Sequence, residues 1–459
     1  MTVRDDAARA VALKNLEFAL SRVPGPLAPT AHTISDILDR VSSVDDVATG
    51  KEVLSVGFNL FCALLARRFQ YRLTSDQLDV VILQSAEDAR LSAMMEPLVR
   101  ALCIRGYHAL RLTAGSEVSA ERFPGLGPAD LAWRNTKVWW KAVFPTIKNW
   151  SRILLRFRRD GVLRTRDVVL ILRWLIVQSR RLDHARQGLK GFDSRAVIVT
   201  DFDRGMKIAP WIIAAKSSPG LKSATLLHGQ LRDLTYLPVL ANTILVWDEI
   251  QAQFIAESGM EGSTEVRVAG AHWWPEVDVA MERGSRSAEG PRVVYAASGP
   301  GAPAIRKKQA MTVVEAIRSA GGHAVVRPHP LEDPAVYKGL DCEFEVSSEV
   351  SLGDSLSALD ILITRRSTMA DQAAAAGRTV LVMEEPSVGR TARLPGQVLV
   401  GDESLLLQNL CEAIDLHEKA PRSNVSQIMK GPAALDQAVD ILTKHLDSRS
   451  FRAGRGERL

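Results

Sequence analysis

Twice along this chain, short β-branched apolar runs alternate with longer segments whose apolar residues recur at helical spacing. Runs such as "LDVVILQS" (78–85), "RAVIVTDFD" (195–203) and "NTILVWDE" (242–249) carry no polar face, so they predict strands covered on both sides. A sheet open to water on one face would alternate instead. The first block adds "HALRLT" (108–113), "SATLLHG" (223–229) and "EVRVAG" (265–270). A polar stretch, "MERGSRSAEGP" (281–291), breaks the rhythm. A second block then brings "RVVYAAS", "HAVVRPHP", "DILITRR" and "RTVLVME", with helical runs between them. Strand–helix alternation in two blocks predicts two doubly wound parallel α/β domains in tandem. Ligands of such sheets bind at the strands' carboxyl ends, so the cleft between the blocks is the expected site.

The expected layout is a helical region over 1–75 and a first Rossmann-like, acceptor domain over 76–280. A basic helical insertion occupies 137–190 of that domain, a second Rossmann-like, nucleotide-donor domain covers 281–445, and a disordered tail covers 446–459. Composition fits a globular protein, at 46% hydrophobic and 24% charged residues. No apolar run is long enough to span a bilayer, and the acidic start "MTVRDD" opens no signal peptide. Cys62, Cys103, Cys342 and Cys411 form no CxxC pair, which argues against a zinc site or disulfide framework. These features lead to the expectation of a cytoplasmic protein.

Four loops at strand ends carry chemistry. In "AVVRPHP" (324–330), Pro328 and Pro330 flank His329, fixing one φ and pushing His329 out of the α region. With Arg327 beside it, this rigid corner suits an anionic group such as phosphate. A plain strand-ending turn reads the same way. In "TRRSTMADQAAAAG" (364–377), Ser367 or Thr368 can cap a helix whose free N–H groups, with Arg365 and Arg366, make a ready phosphate site. An ordinary cap is the bland alternative. In "TLLHGQL" (225–231), His228 could take a proton from an acceptor hydroxyl, and Gly229 relieves the turn or admits a ligand. In "TDFDRG" (200–205), Asp201 and Asp203 close another strand of the first block, and only one of them is expected to point into the cleft. Glu87 and Asp88 raise the same question after the first strand.

These loops resemble motifs of the GT-B bacterial surface-polysaccharide transferases. That group includes sialyltransferases, Kdo-type capsule transferases and CDP-glycerol glycerophosphotransferases. "LLHG", "YLPVLANTILVWDE" and "VRVAG" resemble the histidine–glycine segment, its following strand and the linker. "RPHP" and "RRSTMADQAAAAGRTVLVME" resemble the His-Pro and Ser-Ser/Thr motifs. The resemblance implies a GT-B fold, two tandem Rossmann-like domains facing a cleft. It implies a nucleotide-activated sugar or polyol phosphate as donor, cytidine-linked as CMP or CDP, with no metal and no separate cofactor. On that basis His329, Ser367 and Thr368 would hold the donor phosphate, joined by Arg327, Arg365 and Arg366. His228 matches the acceptor-side base of the glycerophosphotransferases. Asp203 stands in for the acidic-acidic-glycine motif of the sialyltransferases, which "DFDRG" matches loosely because Arg204 interrupts it. The acceptor would be a cell-surface glycan or lipid-linked chain.

The chain's net charge of +5 hides a concentration of cations in "KVWWKAVFPTIKNWSRILLRFRRDGVLRTRDVVLILRWLIVQSRR" (137–181). Two amphipathic helices broken at Gly161 are expected. Trp139, Trp140 and Trp150 interleaved with Arg156, Arg158 and Arg159 fit a helix pair lying on an anionic membrane, on the inner face of the plasma membrane. Core-packed helices with a solvated basic face would look alike. No nucleic-acid module surrounds the segment, so nucleic acid is not an expected partner. The reading is a glycosyltransferase of envelope assembly. A nucleotide-sugar hydrolase or epimerase on the same fold, or a non-catalytic nucleotide-sugar-binding scaffold, remain the alternatives.

Overall fold

The structure is a computed structural model that describes residues 3–22, 31, 34, 78–86, 89–114, 136–189, 192, 196–205, 207–258, 264–275, 290–297, 303–330, 332–365, 367–383, 390–401, 403–419 and 428–453. Its framework is two six-stranded sheets, every neighbouring pair of strands parallel. The first holds β1 (Val80–Gln84), β2 (Ala109–Thr113), β3 (Val197–Thr200), β4 (Lys222–Leu226), β5 (Thr243–Val246) and β6 (Glu265–Val268), in the order β2-β1-β3-β4-β5-β6. The second holds β7 (Arg292–Ala296), β8 (His323–Arg327), β9 (Glu343–Phe344), β10 (Ile361–Thr364), β11 (Thr379–Met383) and β12 (Gln397–Val400), in the order β12-β11-β10-β7-β8-β9. Each sheet starts at an inner strand, winds to one edge, returns beside its first strand and winds the other way. The reversals fall between β1 and β3 and between β7 and β10. This is the tandem doubly wound α/β class that the apolar runs and the GT-B resemblance call for. β1, β3, β5 and β10 are buried along their whole length, which is why their sequences show no alternation.

Helices cover both faces of each sheet. In the first domain these are α1 (Val3–Ser21), α2 (Ala89–Ile104), α3 (Thr136–Arg159), α4 (Thr165–Leu189), α5 (Ala209–Ser217), the short α6 (Asp233–Tyr236) and α7 (Glu249–Ser258). The basic segment forms α3 and α4, turning about Gly161 as the sequence predicts. Trp150 corrects the membrane expectation. Its indole is fully buried with Leu154, Leu175 and Trp211, so it is part of the core and not of a lipid-facing surface. The reason is its phase on α3: Trp150, Leu154 and Phe157 recur at spacings of four and three and turn inward together. Trp139 and Trp140 lie on α3, but their side chains fall outside the described residues.

The second domain carries α8 (Pro303–Ser319), α9 (Leu352–Ala358), α10 (Thr368–Ala375) and α11 (Leu406–Lys419). The last helix, α12 (Gly431–Ala453), does not belong to it. Ala438, Val439, Leu442 and Leu446 pack with β1, β3 and α2 of the first sheet, and Arg105 of α2 donates to Asp436 at 2.8 Å and also pairs with Asp440. The sequence boundary that assigned residues up to 445 to the second domain is therefore corrected from 431 onward. The expected disordered tail, 446–459, is corrected as far as Ala453, which is helical, and 454–459 lie outside the described residues. The return crossing is stitched to the outgoing one. Ala271 donates to the Met429 carbonyl at 2.9 Å and bridges Lys430. Gly270, at φ 77°, lets the backbones meet there, because a Cβ would stand 2.5 Å from the Met429 oxygen. No helix of the described residues is long and apolar enough to cross a membrane.

Candidate functional site

The register brings the functional loops to one rim of each sheet. Thr200 at the end of β3 is level with Leu83 of β1 and Thr225 of β4, so the residues just after them leave the first sheet together. Asp201 is fully buried between them. Its Oδ1 accepts the Ser85 N–H at 2.6 Å and its Oδ2 accepts the Ser85 hydroxyl. Ser85 follows β1, so this pair closes the point where the sheet's winding reverses, the usual ligand position of a doubly wound fold. His228, 30% exposed, stands beside it, with Nδ1 2.7 Å from the Asp201 carbonyl and 4.0 Å from its carboxylate. A carbonyl only accepts, so Nδ1 carries the hydrogen and the neutral ring holds its lone pair on Nε2. Phe202 and Tyr236 pack edge-on against the imidazole, at centroid distances of 6.1 and 6.0 Å. Gly229 serves this packing and not ligand entry. A Cβ there would lie 2.6 Å from the Tyr236 hydroxyl, so the space over the glycine is already filled.

Asp203 is corrected as well. It is buried away from His228, with Oδ2 accepting the Leu240 and Ala241 N–H groups at 2.6 and 3.0 Å. Burial pushes its carboxyl up, against the pull of those two amides. It pins the 237–241 loop and is not placed as a base. β3 ends at Thr200, so residues 201–205 form a turn that escapes the strand's alternation: Asp201 turns to the rim beside Ser85 and Asp203 turns into the core. Arg204 is structural as well. It donates to the Thr235 and Leu237 carbonyls at 2.8 and 3.0 Å and to Glu17 of α1 at 2.9 Å, so the N-terminal helix supports this loop from behind.

On the second sheet, Ala296 of β7 is level with both Arg327 and Thr364, so His329 and Ser367 leave the same rim. They do not follow neighbouring strands. β7 lies between β8 and β10, which separates their strands by roughly 10 Å. The Pro-His-Pro corner is held by its backbone. The His329 N–H donates to Glu332 Oε2 at 3.1 Å, and the Glu332 N–H returns a bond to the His329 carbonyl at 2.8 Å. Glu332 is buried and fixed in turn by Tyr337 at 2.7 Å and Arg306 at 2.8 Å. Arg327 is corrected too. It is buried, pairs with Glu345 at 3.3 Å and donates to the Val350 carbonyl at 3.1 Å, so its charge is spent inside the domain. Ser367, at φ −149° and ψ 132°, caps α10 by accepting the Met369 N–H at 3.1 Å. Thr368 opens the helix, and both hydroxyl residues are partly exposed. Arg366, Glu87 and Asp88 lie outside the described residues.

The two rims meet at residues that the motifs did not single out. The segment following His228 pairs with the second domain: Ala392 donates to the Leu231 carbonyl at 3.0 Å, Asp233 to the Arg390 carbonyl at 3.0 Å, and Arg390 pairs with Asp233 at 3.2 Å. Arg232, buried, takes the Gln230 side chain as partner and donates to the Arg365 carbonyl at 3.1 Å, two residues before Ser367. Behind Ser367, Asp371 of α10 is buried and accepts from Gln397 at 2.8 Å. Burial pushes its carboxyl up to about 7, with Gln397 and Arg232 opposing. The charged "QLRD" (230–233) directly after a buried strand was the available sequence signal for this junction. Among the described residues, no group of three or more His, Cys, Asp or Glu side chains is placed to hold a metal ion.

No family model matches the chain, and no curated protein matches it in sequence. Solved structures do match. S. aureus MnaA in a co-structure with UDP is 13% identical over 81% of this chain and 97% of that chain, with a TM-score of 0.49. UDP-GlcNAc 2-epimerase from Neisseria meningitidis bound to UDP-GlcNAc is 13% identical over 80% and 98%, with a TM-score of 0.44. The glycosyltransferase SnogD from Streptomyces nogalater is 14% identical over 80% and 100%, with a TM-score of 0.39. None of the three is by name a sialyl-, Kdo- or glycerophosphotransferase. At this depth they are likenesses of fold and assign this chain no activity.

Proposed function

We propose that this chain is a transferase that moves a glycosyl or polyol-phosphate group from a nucleotide-activated donor to an acceptor hydroxyl in the cleft between its two sheets. The observation that carries the proposal is the Arg232–Arg365 hydrogen bond, which ties the loop bearing His228 to the loop leading into the Ser367 cap. In this reading an imidazole with its lone pair on Nε2 and a helix N-terminus stand on opposite walls of one junction, which that bond supports. In this reading His228 takes the proton of the acceptor hydroxyl, and Asp201 and Ser85 fix the ring. The acceptor oxygen bonds to the donor's reacting centre, and the bond from that centre to the leaving phosphate oxygen breaks. The charge left on the nucleotide phosphate is met by the α10 N–H groups, the Ser367 and Thr368 hydroxyls and His329. A cytidine-linked donor and a lipid-linked or cell-surface glycan acceptor are the finer expectations, and they rest on the motif resemblance alone.

The test is a thermal-shift panel of CMP, CDP, UMP, UDP, ADP and GDP on the wild type and on His329→Ala and Ser367→Ala. A pyrimidine nucleotide should raise the melting temperature of the wild type, and both variants should lose most of that shift. With donor supplied, nucleotide release should depend on added acceptor, and His228→Ala should cut it at least a hundredfold, the order expected for a lost general base. Release without acceptor would replace transfer by hydrolysis or epimerisation. No response to any nucleotide would sink the nucleotide site and leave the scaffold reading.

A further inference from the structure

Helix α3 bears a row of cations that nothing in the described residues neutralises. Lys148, Arg152, Arg156 and Arg159 recur at spacings of four, four and three, so they share one face, and all are exposed. None makes an ion pair or hydrogen bond among the described residues. Three exposed arginines elsewhere do: Arg105 with Asp436 and Asp440, Arg267 with Glu265, Arg318 with Asp341. The opposite face of α3 is the buried one, with Trp150 and Leu154 fully covered, so the row points away from the molecule. Leu155 stands within it, 51% exposed, and Arg158 flanks it. The cations of α4 differ. Arg181 lies over the Trp174 ring at 5.9 Å, and Arg164 approaches Asp167 at 3.8 Å.

We propose that this outer face of α3, the row Lys148–Arg152–Arg156–Arg159 with Leu155, docks the protein flat on an anionic lipid bilayer. The twelve residues from Lys148 to Arg159 make a row about 16 Å long. It is straight and rigidly backed by the core, and like charges this close repel unless a countercharge lies against them. A bilayer rich in anionic headgroups supplies that countercharge continuously along the row. It also accepts a leucine between headgroups, which a phosphodiester backbone does not. A single-stranded nucleic acid would call for an exposed aromatic to stack on. Trp150 is buried and Phe157 half-buried, so the described side chains of α3 offer none. Of the expected membrane contacts this keeps Arg156 and Arg159 and removes Trp150, which is buried, while the Trp139 and Trp140 side chains lie outside the described residues. It is independent of the proposed chemistry, since the row lies outside the cleft loops.

Sedimentation of the full chain with vesicles tests it. One set is pure phosphatidylcholine and the other contains about a third phosphatidylglycerol, at about 0.05 M and 0.5 M salt. The wild type should pellet with the anionic set at low salt and largely release at high salt. Each cation at such a surface is worth roughly fivefold in affinity, so Arg152→Gln/Arg156→Gln/Arg159→Gln should bind roughly a hundredfold more weakly. Arg156→Glu alone should show the same direction with the least change to the protein. Arg267→Gln/Arg318→Gln, which removes paired cations elsewhere, should bind as the wild type does. The proposal is overturned if the wild type stays in the supernatant at low salt, or if both α3 variants bind as tightly as the wild type. It is equally overturned if a nucleic-acid duplex binds the wild type more tightly than the anionic vesicles do.

Discussion

Replacing Asp371 with asparagine should flatten the protein's stability against pH. The carboxyl sits in the first turns of α10, 1% exposed, with one bond from Gln397. Burial raises it from 3.8 to about 7, the favourable Gln397 bond and Arg232 charge being too weak to offset desolvation. Between those two values the folded protein keeps a proton that the unfolded chain gives up. Stability therefore falls as pH climbs from about 4 to about 7, and stays at the lower level above that. The full shift corresponds to roughly 4 kcal/mol, of which about 2–3 kcal/mol falls between pH 5 and pH 8. An asparagine side chain in its place cannot ionise and carries none of this slope. Urea titrations of the wild type and Asp371→Asn at both pH values give the double difference, in which every other titrating group cancels. The variant should gain about 2–3 kcal/mol on the wild type between pH 5 and pH 8. Parallel pH profiles, within about 0.5 kcal/mol, would refute a neutral Asp371. The result also bears on the site, because a neutral acid behind Ser367 leaves the positive end of α10 undiminished.

Three further substitutions separate structural from chemical roles. Asp203→Ala strands the Leu240 and Ala241 amides and should lower stability by about 2–5 kcal/mol; a stable protein that has lost turnover would return Asp203 to the site. Gly229→Ala should destabilise through the 2.6 Å approach to the Tyr236 hydroxyl, and adding Tyr236→Phe should recover most of the loss, since the next ring atom is 3.7 Å away. Failure of that rescue in a melting experiment would place the strain elsewhere. Trp150→Ala should cost about 3–5 kcal/mol by opening a core cavity. Vesicle binding lost at unchanged stability would instead restore the indole to the lipid face.

Most of the framework could be read from apolar runs, because a doubly covered strand such as "VVIL" or "ILIT" has few other fates. The edge strands β9 and β12 could not, the first having only two residues and the second only four, with one of its side chains exposed. The cleft loops were legible as loops at strand ends, but the direction of each side chain was not. Asp201 and Asp203 lie in the turn after β3, where strand alternation no longer applies, and "DFD" does not say which of them faces Ser85. Arg327 looks free beside His329 until Glu345, eighteen positions on, takes its charge. Similarly, "KVWW" and "KNW" suggested tryptophans at a surface, whereas helical phase put Trp150 inside. The junction of Arg232 with Arg365 and the seat of α12 are contacts between segments far apart in sequence, and no local pattern announces them.

Because α12 returns to the first sheet, the backbone passes between the sheets at two places, and the Ala271–Met429 bond holds those passages side by side. Two adjacent passages define a line. A swing of the sheets about that line would open the rim where His228 and Ser367 stand only by breaking the Arg232–Arg365, Ala392–Leu231 and Asp233–Arg390 bonds, so those bonds and the crossing together hold the rim closed. Cleavage near residue 285 would not release two self-sufficient halves. The leading fragment would lack Ala438, Val439, Leu442 and Leu446 from its own core, and the trailing fragment would carry those residues as an apolar helix with nothing to cover it. The two fragments should be soluble together and insoluble apart, as complementing parts of one folding unit.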